Sequence, residues 1–314
     1  MTGFSFNLSD FVFVWWGLLF EAMPFVILGA ILSGIVERCV SRETVVRFFP
    51  KNRFLGIVAS ACLGLIFPMC ECGVVPVVRR LVRKGVPVSC GITYMLAAPI
   101  VNPLVMLSTF VAFSGRQGWP YAATVTGLRV GMGAFVAITV GLVVWKFLGE
   151  GNALLPHLEN NNNQNHGPKG NVFADILRHA ADDFLVIGST LVVGAGLAAV
   201  INSGFSRESM APFAENPFTA VTGMLVLAIG LNLCSEADAF VGASFFAFPL
   251  AAKLAFLVLG PMLDIKLIAM FTTVFRKRTI VLICVLTTSL VFILCTTGYV
   301  WIPWVVAAVG GLAP

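Results

Sequence analysis

The chain has 314 residues, 58% hydrophobic and 11% charged, with mean hydropathy +0.94 and a formal net charge of +5. A soluble domain would carry about a quarter charged residues, so this composition excludes one, and continuous rather than alternating apolar runs argue against a β-barrel. The positive balance does not point to nucleic acid, because Lys and Arg in a membrane chain mainly report topology.

The first apolar run, 11–36, contains Glu21 and Pro24. It exceeds the roughly 7–15 residues of a signal-peptide core and reads as a retained first helix. A basic loop, 37–53, carries Arg38, Arg42, Arg47, Lys51 and Arg53. Segment 54–69 is apolar but short, and ends where Pro68 and Gly73 bracket Cys70, Glu71 and Cys72. Arg79, Arg80, Arg83 and Lys84 follow. The uncharged segment 86–113 is broken by Pro99, Asn102 and Pro103, and 119–148 contains Arg129.

Residues 149–171 form an Asn-rich flexible linker by composition. Two histidines there, His157 and His166, are too few to argue for a metal site. Residues 172–183 read as a short amphipathic helix at the membrane surface, and 184–202 as a span. After a polar loop, 203–216, the apolar run 217–234 leads into Cys234, Ser235, Glu236, Ala237 and Asp238. Segment 254–275 holds Pro261, Asp264 and Lys266, and Arg276, Lys277 and Arg278 follow it. The last span is 279–297, and the tail 298–314 carries Trp301 and Trp304 suited to the interface.

The halves are alike. Glu21 with Gly29 and Gly34, Cys70-Glu71 and Pro99-x-x-Asn102 in the first answer to Asp183 with Gly188 and Gly194, Cys234-x-Glu236 and Pro261-x-x-Asp264 in the second. The expected organisation is a first membrane repeat, 1–148, the linker, 149–171, and a second repeat, 172–314. Interrupted apolar segments in matching positions point to a transporter's midplane site.

Charge then sets the topology. If 54–69 crossed completely, the two basic clusters of the first half would face opposite sides, against the positive-inside rule. A re-entrant hairpin over 54–84 puts both in the cytoplasm and its thiols inside the membrane. The matching hairpin, 217–252, enters from outside. This layout places 15 of the 20 Lys and Arg residues on the cytoplasmic side. It predicts an all-α polytopic membrane protein of about eight transmembrane segments, six full crossings and two hairpins, in two inverted-topology repeats. The N-terminus is extracytoplasmic and the linker cytoplasmic. Hydropathy alone does not separate a hairpin from two short spans, so an eight- or ten-helix layout stays open.

Ionisable groups at broken backbone inside apolar sequence are candidate functional groups. Cys70 and Cys72 share a side on extended chain and could converge on one soft ligand, with Cys234 approaching from the other hairpin. Cys39, Cys62, Cys284 and Cys295 read as small inert hydrophobes, and Cys90 stays open. Glu71, Glu236, Asp238 and Asp264 are candidate proton carriers, or static partners of the intramembrane Lys266 and Arg129, and Glu236 and Asp264 lead because the repeat places them at a hairpin tip and a helix break. Pro99, Asn102 and Pro261 mark breaks that free backbone groups for a substrate. Arg79, Arg80, Arg83 and Lys84 read as a topology signal, and Gly29, Gly34, Gly188, Gly194 and Gly196 as close-packing positions.

At CxCGVVPVxRRLxRKGVP…LAAPIVNP (Cys70 to Pro103) and LCSEADAF…LGPMLDIKL (Leu233 to Leu267) the chain resembles the predicted-permease family that includes the ArsP organoarsenical efflux permeases. The resemblance covers nearly the whole chain. It implies a bacterial inner-membrane permease and, in the ArsP branch, efflux of trivalent organoarsenicals through cysteine thiols, with Cys70, Cys72 and Cys234 as candidate ligands here. The leading expectation is a secondary transporter, not an enzyme, exporting a small thiophilic solute or metal species by alternating access with proton coupling. No P-loop motif supports ATP hydrolysis, and no cofactor is expected. The alternatives are a membrane thiol oxidoreductase using Cys70 and Cys72, although the usual CxxC spacing is absent, or a metal-handling assembly protein.

Overall fold

The computed structural model describes residues 8–39, 52–147, 172–204 and 216–310. The linker 149–171 with its histidines, Arg207, and Arg42, Arg47 and Lys51 of the first basic loop lie outside the described residues. The rest is helical, with no strand among the described residues. In chain order the helices are α1 (Leu8–Cys39), α2 (Arg53–Ile66), α3 (Glu71–Arg83), α4 (Val88–Ala97), α5 (Pro103–Phe147), α6 (Val172–Gly204), α7 (Pro217–Leu231), α8 (Asp238–Ser244), α9 (Leu250–Met262), α10 (Ile265–Phe271) and α11 (Lys277–Gly310). Five stretches are long and apolar enough to cross a membrane: Leu8–Val36, Gly118–Phe147, Ile176–Val200, Leu250–Phe271 and Lys277–Ala308.

Two boundaries differ from the sequence reading. Residues 172–183 are not a separate surface helix but the first turns of α6, because Asp183 finds buried partners there. The tail beyond 297 continues α11 to Gly310.

Helix directions follow from who touches whom. Ile57 near the start of α2 packs with Val86 and Cys90 at the start of α4. Gly64 near the end of α2 lies against Ala98 and Val101, just past the end of α4. So α2 and α4 run the same way. Between them α3 runs back, Val78 and Val82 lying against Gly91 of α4. The segment α2–α3 therefore enters and returns, with its tip at 67–70.

Beyond α4 the chain breaks at 98–102 and resumes as α5. Gly118, at φ 82, reverses α5, a backbone conformation that glycine adopts without a Cβ penalty. The second arm then descends past Ile100 at Gly133 and reaches the level of Ile57 and Ser89 at Gly141.

The second half repeats this order from the opposite face. Helices α1 and α6 are antiparallel: Gly34 meets Ile176, while Trp15 donates a hydrogen bond to the Val192 carbonyl at 3.3 Å. Late α7 (Ala228) and late α9 (Gly260) meet, so these two run together. The short α8 runs back, with Asp238 near Gly260 and Gly242 against Phe256 and Leu257. The chain breaks again at 263–264, continues as α10, and returns through α11, whose Gly298 lies near Ala251. Among the described residues the helix pairs α2–α3 and α7–α8 each turn back at a tip, beside the five stretches long enough to cross a membrane.

Lipid is as apolar as Leu, so helix association here rests on close packing and polar contacts rather than on hydrophobic burial. Helix α1 meets the first hairpin where Gly29 and Gly73 place backbone against backbone, and a Cβ on Gly29 would collide with the Gly73 carbonyl.

Candidate functional site

The two hairpin tips meet at the 263–264 break, the 98–102 break lies against the end of α2, and the local sequence explains each. Helix α2 stops at Ile66, Pro68 follows, and Cys70 (φ −74, ψ 169) is the extended residue before α3. Helix α7 stops at Asn232, which sits in the left-handed region at φ 50. Asp264 begins α10 as a side-chain cap, its Oδ1 accepting from the Leu267 N–H at 2.6 Å. Asn102 does the same for α5, accepting from the Leu104 N–H at 2.9 Å. The Pro-x-x-Asn and Pro-x-x-Asp patterns are thus two helix stops, each followed by a cap.

Broken backbone at membrane depth must find partners within the protein. The Asn232 amide supplies four. Its Nδ2 donates to the carbonyls of Ile229 and Gly230 at the end of α7, and its Oδ1 accepts from the N–H groups of Ile265 and Lys266 at the start of α10. One side chain therefore joins two broken helices.

Lys266 is the centre of the charge network. Its ammonium lies 3.2 Å from Glu71 Oε1 and 3.3 Å from Asp264 Oδ2, and donates to the Asn232 carbonyl at 3.2 Å. Glu71 also accepts from the Ser235 hydroxyl at 3.2 Å, which connects the two hairpin tips directly. Lys266 and Glu71 are 3% and 1% exposed, so both charges are removed from solvent. Ions so placed need each other and further hydrogen bonds to offset desolvation.

The second cation is paired separately. Arg129 of α5 holds Asp238 through contacts of 2.7 and 2.9 Å, donates to the Thr109 hydroxyl at 2.7 Å, and reaches the Ser235 carbonyl at 3.3 Å. Glu71 and Asp238 thus share a role: each is the first helical residue after its hairpin tip, and each meets a cation from another element. Glu236, which the sequence aligned with Glu71, sits within the longer second tip and accepts from the Cys234 thiol at 3.2 Å.

Cys70 and Cys72 are buried at the start of α3, and Cys72 lies near Lys266. Cys234 also neighbours Lys266, on the opposing tip. Among the described residues no three His, Cys, Asp or Glu side chains converge closely enough to hold a metal ion. Pro99 and Pro261 occupy the ends of α4 and α9 and shape the backbone.

Two features escaped the sequence reading. Glu21 of α1 is half-buried against this network, with Lys266, Glu71, Glu236 and Cys234 as neighbours. An acidic residue in the first apolar run was the available signal, but nothing in sequence gives its facing. Arg79 and Arg80, read only as a topology signal, are buried against Asp183 of α6 at 3.5 and 2.7 Å, and the Ser33 hydroxyl of α1 donates to the same carboxylate at 2.6 Å. The basic run lies on a helix enclosed by α1 and α6, so part of it turns inward.

The predicted-permease family ArsP_1 matches residues 8–301. The UPF0718 protein YcgR of Bacillus subtilis is 38% identical over 280 residues, covering 89% of this chain and 92% of that protein. A Streptococcus mutans protein named "Putative two-component membrane permease complex subunit" is 35% identical over 278 residues, covering 88% and 90%. No solved structure matches the chain. Membrane-spanning helices, interrupted by two re-entrant tips, and a match across almost the entire sequence agree: the chain belongs to the ArsP_1 family of predicted permeases.

Proposed function

We propose that this multi-pass membrane protein is a secondary transporter that exports a small thiophilic solute, such as a trivalent organoarsenical, by alternating access at the two hairpin tips. The observation that carries the reading is the Cys70–Cys72 thiol pair, buried beside the Lys266 ammonium where the first tip meets the second. Two adjacent thiols can displace two hydroxyls from a trivalent arsenical as water, forming two As–S bonds with no redox change. Cys234 faces the same charge from the other tip and could receive the solute as the tips exchange access.

The chain reads as two inverted repeats, 1–148 and 172–314, with the linker between them. Basic residues at the ends of α1 and α3 and after α10 favour a bacterial inner-membrane orientation with that face cytoplasmic and the N-terminus outside. The partly buried Glu21 and Glu236 are the groups in reach of water, and they are the proposed proton carriers. The name of the Streptococcus mutans relative suggests a second subunit as a partner.

The test is accumulation in an efflux-deficient bacterium expressing this chain, measured for phenylarsonous acid, zinc and copper. Expression should lower cell arsenic, and Cys70→Ser or Cys72→Ser should abolish the effect while the protein remains in the membrane. If no solute's accumulation changes, the transporter reading fails. A change in envelope thiol redox state instead would favour a thiol oxidoreductase.

A further inference from the structure

A second candidate site lies away from the thiols, at the face from which α7 enters. A cavity of about 320 Å3 opens there between the bend of α5, helix α8 and the first turn of α9. That volume is at the small end of ordinary ligand pockets. Its wall is aromatic: Phe113, Tyr121, Phe240 and Phe246. Phe113 and Tyr121 lean together with ring centres 6.4 Å apart. The polar groups are the Tyr121 and Ser244 hydroxyls and the Lys253 ammonium.

Lys253 carries the argument. It is half-buried, yet among the described residues no hydrogen bond or ion pair engages its ammonium and no carboxylate lines the cavity. The other two cations described within the apolar spans, Arg129 and Lys266, both hold carboxylates. The Tyr121 hydroxyl likewise has no protein partner among the described residues and borders the same space. An unmatched positive charge beside apolar walls is a site for a negative charge, because the low dielectric there strengthens attraction. The rings supply surface for an apolar body attached to it. Tyr121 is eight residues from Arg129 on one helix face, about 12 Å away, and Phe113 is one turn beyond Thr109.

We infer that this cavity binds an amphipathic organic anion, its carboxylate or phosphate on Lys253 and Tyr121 and its apolar body among the four rings. Two sources share that chemistry, a soluble organic acid and the headgroup phosphate of an anionic lipid. The site stands whether or not the thiols carry the transported solute.

The experiment uses the full chain in nanodiscs of phosphatidylcholine, with 2-naphthoate as probe and its fluorescence anisotropy as readout. Saturable binding is expected. Lys253→Gln should weaken it at least tenfold, a loss of about 1.4 kcal/mol, and Lys253→Arg should stay within threefold of the parent. Phe240→Ala should weaken it severalfold, and the neutral methyl 2-naphthoate should bind parent and Lys253→Gln alike. Repeating the titration with phosphatidylglycerol in the disc separates the sources. Competitive loss of probe binding assigns the site to lipid phosphate, and persistence assigns it to a soluble anion; both support the site. A snorkelling lysine that merely reaches the interface predicts something else: no saturable binding, or equal binding by the parent and Lys253→Gln. Either result overturns the inference. Unchanged thermal unfolding of Lys253→Gln and Phe240→Ala guards against a folding artefact.

Discussion

Asp238→Asn removes one partner of a buried ion pair and leaves Arg129, 1% exposed, with an uncompensated charge. Loss of one member of such a pair costs about 3–5 kcal/mol, and Arg129→Met should cost a similar amount by stranding Asp238. The double variant should be far better than the sum of the singles. Without either charge, what remains is mainly the hydrogen bonds that Arg129 made to the Thr109 hydroxyl and the Ser235 carbonyl, at about 1 kcal/mol each. The double variant should therefore lose about 2 kcal/mol. Reversible unfolding in mixed micelles with rising sodium dodecyl sulfate, followed by helical circular dichroism, measures all three. Because both groups are buried, raising salt should leave the differences unchanged. Singles that cost under about 1 kcal/mol, or a double equal to their sum, would refute the pairing as the element that holds the second tip to α5.

Other expectations use the same unfolding assay. Gly29→Ala puts a methyl group into the Gly73 carbonyl and should cost about 1–3 kcal/mol, whereas Gly17→Ala meets nothing within 4 Å and should be neutral or slightly stabilising. Asp183→Asn leaves Arg79 and Arg80 without their shared carboxylate and should cost about 3 kcal/mol. Asn232→Ala loses both the left-handed preference and the bridge from α7 to α10, about 2 kcal/mol together, while Asn232→Gly keeps the backbone and should lose about half that. Equal losses from the two Asn232 variants would show that the amide bridge, not the backbone, sets the cost.

The sequence carried the path of the chain better than its pairings. Pro68, Pro99 and Pro261 announce breaks, because proline removes a donor and a continuing helix turn, and Asn102 and Asp264 announce restarts. Charge placement distinguished a hairpin at 54–84 from a crossing, since two basic clusters flank one short apolar run. What could not be read is rotation and partner. Glu21, Arg79 and Arg80 have sequence neighbours that fix their depth but not their facing, and Asp183 meets its arginines only because α1, α3 and α6 pack together. The equivalence of the two tips was read one step wrong for the same reason. Aligning cysteines matches Glu71 with Glu236, but the second tip is six residues long and the first four, so the helix starts match Glu71 with Asp238. Position relative to a helix start, rather than distance from a cysteine, decides which carboxylate meets a cation.

The charges at the tips do not balance, and the imbalance bears on mechanism. Asp238 is matched by Arg129, which leaves Lys266 alone among Glu71, Asp264, Glu21 and Glu236. A site of low dielectric does not hold three surplus negative charges without protons or another cation. Glu71 and Asp264 are fully enclosed and touch Lys266, so they are its standing partners. Glu21 and Glu236 are half-buried beside Cys234, whose thiol donates to Glu236. In the proposed carrier these two are the groups free to exchange protons, and both touch a residue of the proposed solute path. Solute on Cys234 would then alter the contacts of Glu21 and Glu236 together, which is the physical link a proton-coupled carrier requires. Proteoliposomes test it directly: Glu21→Gln should uncouple solute flux from an imposed pH gradient, while Asp238→Asn, corrected for the amount of folded protein, should leave the coupling intact. Coupling that survives Glu21→Gln and Glu236→Gln combined would remove these residues from the proton path.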